Sequence, residues 1–305
     1  MSFENFRQII REVQKIGKCR LCVAAAADEK VLAAVREARK EDFVDITLLG
    51  HEEWIWRLAL KTGLNLRGIE IIDVADPVEA TVRAVAEVGS GKADILMKGM
   101  VNSADFLHAI LDPSGGLRGE GILSHLAALE IPGYYRLIYV SDGGLNVNPD
   151  LARKKVILHN AVRFLQAIGI AEPRVAVLSA NERVSDKVPS TVEARELKKI
   201  AERGEIMGAL VEGPISLDAA IDEEAALHKG IESPVAGHAD LLLVPDIDTG
   251  NVLAKAVIYF ARGRMAGLIL GGKRPVILTS RNEPHYGKLA SIALAAYSIV
   301  RGRPG

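Results

Sequence analysis

Thr279, Ser280 and Arg281 follow the apolar run Pro275-Val276-Ile277-Leu278, and a helical pattern starts near Tyr286. An arginine with two hydroxyls at the carboxyl end of a strand, beside a helix start, suits a phosphate or another oxyanion. The guanidinium is a planar fork of donors, and a helix start adds N–H groups that lack partners. A single Ser-Arg turn is common on protein surfaces. It gains meaning from three further stretches expected at the same sheet edge: Met97 through Asp105, Ser233-Pro234-Val235-Ala236-Gly237, and Pro245 through Asn251. In the first, Lys98 offers a point charge to a phosphate, and Gly99 would let backbone amides approach a ligand. Asn102 and Ser103 open a helix there, with Ser103 as the expected cap. Taken alone, a plain strand–loop–helix junction with a solvated lysine is the favoured reading of this stretch. In the third, Asp246, Asp248, Gly250 and Asn251 follow the apolar run Leu241-Leu242-Leu243-Val244. Ligands of open α/β sheets bind outside the carboxyl ends of such strands, although either aspartate also suits a helix cap. Arg118, after Gly115-Gly116-Leu117, is a second candidate anion ligand or a surface arginine. His125, inside an apolar run, reads as a structural histidine.

Composition limits the partners. The 305 residues, 49% hydrophobic and 25% charged, suit two domains of ordinary soluble type. A net charge of −1 speaks against a nucleic-acid partner. No apolar run reaches the length of a membrane span, and no signal-peptide pattern is present at the start. Phe3, Phe6, Ile9, Ile10, Val13 and Ile16 recur at helical steps, which predicts a docked amphipathic helix. Few cysteines point to a reducing, cytoplasmic setting. Cys19 and Cys22 have the spacing of a redox or zinc pair. There is no second cysteine pair, and these two lead into a strand rather than a helix, so they read as ordinary strand residues.

Those chemical residues need a scaffold, and its rhythm is that of βαβ units. Strands are predicted at 21–25, 46–49, 69–74 and 94–97, with helices over 29–40 and from about 52 and 77. Ile131-Pro132-Gly133 between the runs 122–130 and 134–140 predicts an antiparallel hairpin. Beyond Pro149 the alternation resumes, with strands at 174–178, 207–211, 241–244, 267–270 and 276–278. Long helices are expected over 150–168, 253–261 and 288–300. The glycine-rich stretch 141–149 reads as a hinge or cleft edge. It divides an N-terminal α/β domain, 1–141, from a second α/β domain, 142–285, with a C-terminal helix, 286–305, packing back on the first.

Together these segments resemble the phosphate acetyl/butyryl transferase family, and more closely its phosphate butyryltransferase branch. The matching stretches are 97–105, Leu117-Arg118, Ser190 through Ala194, His228-Lys229-Gly230, 233–237, Ala239-Asp240, 241–251, Tyr259-Phe260-Ala261, 278–281 and 288–295. The resemblance implies two three-layer αβα domains with a cleft between them, as in isocitrate and isopropylmalate dehydrogenases, usually in a homodimer. It implies reversible transfer of a short-chain acyl group between coenzyme A and inorganic phosphate, with both as substrates and neither a bound cofactor nor a metal required. The Ser-Arg pair of the family's active cleft corresponds to Ser280 and Arg281. Lys98, Gly99, Asn102, Ser103, Arg118, Asp246, Gly250, Asn251 and Thr279 are the expected substrate contacts. The chain departs from the pattern at three positions. His108 stands where arginine is common and His238 where an acid is usual. Gly287 stands where a carboxylate that helps deprotonate the thiol is expected. His285 is the first substitute for that base and Glu283 the second. A non-catalytic coenzyme A binder and a dehydrogenase of the same fold are the alternatives; no Gly-x-Gly-x-x-Gly turn or aspartate cluster supports the latter.

Overall fold

The computed structural model describes residues 2–280 and 283–301. Two compact units emerge. One holds Asn5–Glu120 and the described residues from Ala266 onward. The other holds Gly121–Met265 with the residues before Asn5.

The first unit opens with α1 (Phe6–Ile16), capped by Asn5, which buries Phe6, Ile9, Ile10 and Val13. Then follow β1 (Cys19–Ala24), α2 (Glu29–Lys40), β2 (Val44–Gly50), α3 (Glu52–Thr62), β3 (Glu70–Asp73), α4 (Pro77–Gly89), β4 (Ile95–Lys98) and α5 (Ser103–Leu111). Asp28 and Asp76 cap α2 and α4, accepting from Val31 N and Glu79 N, and Pro77 takes the first helical position, where no N–H is needed.

The second unit contains β5 (Ser124–Glu130), β6 (Ile138–Ser141), α6 (Leu151–Ala167), β7 (Arg174–Leu178), α7 (Pro189–Glu202), β8 (Leu210–Ile215), the short α8 (Leu217–Ile221) and α9 (Glu223–His228), β9 (Leu241–Leu243) and α10 (Ile247–Tyr259). The chain returns to the first unit along β10 (Arg264–Leu270) and ends with β11 (Val276–Ile277) and α11 (His285–Val300).

In the first unit the strand order is β3-β2-β1-β4-β11-β10, parallel except for the β10–β11 pair. In the second it is β5-β6-β9-β7-β8, parallel except for the predicted hairpin β5–β6. β1, β4 and β9 are buried almost throughout, which is why they read as unbroken apolar runs. α11 packs on α1 and α2 and is buried nearly all round.

Three expectations change. The units divide at Glu120 and Gly121, whereas the sequence suggested 141–149. That glycine-rich stretch belongs inside the second unit and is pinned by one carboxylate: Asp142 accepts N–H groups from His125, Gly144 and Leu145, and the side-chain amide of Asn146. A polar turn looks like a hinge from composition, but here its amides are tied to the buried Asp142 carboxylate. The strand expected at 207–211 runs instead from Leu210 to Ile215. The helix expected at 253 begins at Ile247. Cys19 and Cys22 are buried on opposite faces of β1, with their thiols toward the carbonyls of Ala296 and Ala84. Burial pushes the Cys22 thiol up to about 12, which leaves it chemically inert. Among the described residues no helix is long and apolar enough to cross a membrane.

Candidate active site

Register decides which residues meet at the carboxyl edge of the first unit's sheet. Ala24 on β1 pairs with Lys98 on β4, and Ile277 on β11 pairs with Met97. Thr279 and Ser280 therefore emerge beside Lys98. Lys98 is 5% exposed, with Nζ 3.4 Å from the carbonyl of Gly99. The amides of Gly99 and Met100 donate to the carbonyls of Ala24 and Ala25 at 2.8 and 2.7 Å. A Cβ on Gly99 would lie 2.2 Å from the Ala25 oxygen. Gly99 is thus required by chain against chain, and its N–H is already used, contrary to the expectation that it opens amides to a ligand. The cap of α5 is Asn102, accepting from Ala104 N, so Ser103 becomes the first helical residue rather than the cap.

At β11 the turn is held from below. Thr279 is buried and Ser280 exposed. The carbonyl of Ser280 accepts both the Glu283 amide, at 3.0 Å, and the ammonium of Lys288, at 3.1 Å. Lys288 Nζ also donates to Thr279 Oγ1 at 2.7 Å. Arg281, the expected anion fork, lies outside the described residues.

The two candidate bases separate. Glu283 is buried, and burial pushes its carboxyl above the usual range against the pull of Lys288 and Lys30. His285, the favoured candidate from sequence, is the exposed first residue of α11 and borders a surface hollow with Lys30, Arg36 and Lys61. The split falls at the helix start, where Pro284 is the N-cap and His285 the first residue of α11. Gly287 is buried in the first turn of α11, and Lys288 follows it. Burial pushes the Lys288 ammonium down to about 8, with Lys98 and Lys30 adding to the shift and Asp28 and Glu283 opposing it. Lys288 was not singled out from the sequence. The available signal was a single lysine in the sixteen-residue helix HYGKLASIALAAYSIV, which has no other Lys, Arg, Asp or Glu.

Arg118 is exposed, on a stretch that packs closely against Gly271. The remaining candidates belong to the second unit. Asp246 caps α10, its Oδ1 accepting from the amide and hydroxyl of Thr249, both at 2.7 Å. Gly250 sits in the first turn of α10, where a Cβ would lie 2.5 Å from Gly143 Cα, and Asn251 is exposed beyond it. Of the stretch 245–251, residues 247–251 are therefore helix. Of the three departures, His108 is exposed late in α5 and His238 Nε2 lies 3.9 Å from Glu223. His125 packs its ring on Gly144, and burial lowers its pKa. Its Nδ1 is buried without a hydrogen-bond partner. Among the described residues no three His, Cys, Asp or Glu side chains are grouped for a metal ion.

Comparison with known proteins adds independent observations. Residues 75–296 match the family described as phosphate acetyl/butaryl transferase. The chain is 42% identical over 293 residues to the phosphate butyryltransferase of Clostridium acetobutylicum, covering 96% of this chain and 97% of the relative. It is 42% identical over 281 residues to the phosphate acetyltransferase of Rhizobium meliloti, covering 92% and 89%. The crystal structure of a branched-chain phosphotransacylase from Enterococcus faecalis V583 matches with a TM-score of 0.82 at 31% identity, covering 92% of this chain and 98% of that one. A Thr-Ser turn beside two buried lysines, on an α/β scaffold matched over nearly its whole length, leads to one assignment: the chain belongs to the phosphate acetyl/butaryl transferase family.

Proposed function

We propose that the protein moves a short-chain acyl group, butyryl-like or branched, between coenzyme A and inorganic phosphate. The observation that carries this reading is the near full-length match to phosphate butyryltransferases. In the forward direction an oxygen of hydrogen phosphate attacks the thioester carbonyl. The new C–O bond forms, the C–S bond breaks, and the phosphate proton ends on the departing thiolate. The products are acyl phosphate and the free thiol.

The chain's own residues take the following parts. Arg281 grips the phosphate with its planar fork. The Ser280 hydroxyl donates to the oxyanion that develops on the carbonyl, a contribution of about 3–4 kcal/mol in well-studied sites. Lys98 adds charge from the neighbouring strand end. In the reverse direction Glu283 takes the thiol proton in place of the carboxylate absent at Gly287. Its burial beside the Ser280 turn supports this choice over the exposed His285. Thr279 holds the turn through Lys288. We include in the proposal a homodimeric, cytoplasmic enzyme; sedimentation of the purified protein tests the dimer.

The deciding assay is phosphate-dependent release of free thiol from a panel of acyl-coenzyme A thioesters. Four- and five-carbon acyl groups should turn over fastest. No release with any thioester, despite binding of coenzyme A, would favour a non-catalytic binder, for which the glycine at 287 is the motive.

A further inference from the structure

We propose that Lys288 is the cationic floor of the phosphate site, a positioning residue with no carboxylate in hydrogen-bond reach among the described residues, whose ammonium is met by the bound phosphate dianion. The proposal rests on the acyl-transfer reading and adds to it a residue and a ligand contact class. Two of the other buried cations, on the second unit, make the comparison. Arg136 is 6% exposed and pairs with Asp240 at 2.6 Å. Lys154 is 4% exposed and pairs with Glu193. Lys288 is 3% exposed, yet its hydrogen-bond partners among the described residues are a hydroxyl and a carbonyl, both neutral. A buried charge without an ionic partner is strongly unfavourable. Such a group persists where an opposite charge arrives with a ligand.

Its position fits that ligand. The ammonium lies under the Thr279–Ser280 turn and holds the Ser280 carbonyl, so it aligns the residue that meets the substrate. The charged groups around it are Asp28 at the start of α2, Lys30 on α2, Lys98 at the end of β4, and Glu283 before α11. Three ammonium groups against two carboxylates leave this corner of the sheet edge net positive among the described residues. Burial also moves the Lys288 titration from 10.5 down to about 8. The unfolded chain therefore binds this proton more tightly than the folded one. Folding loses stability as pH falls from 10.5 to 8, and the full loss is present below 8.

The phosphate response gives a signature that a merely structural lysine lacks, while the pH sign reports its burial. Without phosphate, Lys288→Met should melt at a higher temperature than wild type at pH 7, and the gap should close toward pH 10. Inorganic phosphate should raise the melting temperature of the wild type and do so much less for Lys288→Met. In the thiol-release assay the KM for phosphate should rise tenfold or more while the KM for the thioester stays within about twofold. Lys288→Gln, which keeps a donor to Thr279 but no charge, should follow Lys288→Met and serves as the readout if the methionine variant does not fold. Absence of turnover in the wild type would count against the acyl-transfer reading alone, because the phosphate-dependent melting shift tests Lys288 separately. A lower melting temperature for both variants at pH 7, or an unchanged phosphate response, would overturn the proposal.

Discussion

Glu283 and His285 lie two positions apart, and only burial distinguishes them. A buried carboxyl with a raised pKa is a fit proton acceptor nearer neutral pH than an exposed one. We expect Glu283→Gln to slow thiol attack on acyl phosphate by about a hundredfold or more. The loss should shrink at high pH, where the thiolate forms unaided. His285→Ala should change the rate by less than about threefold, because its ring faces the α2 side. Rate–pH profiles of the two variants test this, and a reversed order would return the role to His285. Arg281→Lys keeps the charge but loses the bidentate fork. It should raise the phosphate KM more than the thioester KM, as steady-state kinetics with each substrate varied would show.

Among the elements, the β4–α5 turn carries a tight constraint beside Lys98. The Ala24 and Ala25 carbonyls occupy the space where a Cβ of residue 99 would stand, and they are backbone, not flexible side-chain ends. Gly99→Ala must therefore push β4 from β1. We expect it to destabilise the protein by about 2–3 kcal/mol, read as a lower urea midpoint. Thiol release should fall with it, because Lys98 moves with the strand end. Full stability with full activity would mean that the turn relaxes at no cost. Gly250 and Gly143 repeat the same device in the second unit, backbone against backbone, at the start of α10.

Over the whole molecule, buried charge divides into structural and site roles. The Arg136–Asp240 pair ties β9 to β7: Asp240 accepts the amide of Arg174, while Arg136 donates to the carbonyls of His238 and Ala239. Its segment matched the family in the sequence reading, yet its contacts are architectural. Arg136→Ala leaves a carboxylate buried alone and should cost about 3–5 kcal/mol, measurable by denaturant unfolding. The midpoint should fall steeply while the KM values of the residual folded enzyme stay put. A shift in KM for phosphate would mean that the pair reaches the site.

The sequence alone determined the α/β rhythm, the hairpin at Pro132-Gly133, the central buried strands and the family, because periodicity, turn chemistry and ordered motifs are local and survive in one dimension. It also picked out Ser280 and Lys98 as neighbours-to-be, since parallel strands deliver their carboxyl ends to one edge. Tertiary structure decided what each residue faces. It packed Gly99 and Gly250 backbone against backbone and made Asp246 the cap of α10. It made the 141–149 stretch a pinned loop rather than a hinge. It buried Glu283 while exposing His285, and it placed Lys288 under the Ser280 carbonyl eight residues away in sequence. Burial and counter-charge depend on elements distant in the chain, such as Asp28 and Lys98 around Lys288. No local pattern encodes them, so the electrostatics of the site became legible only once the strands stood in register.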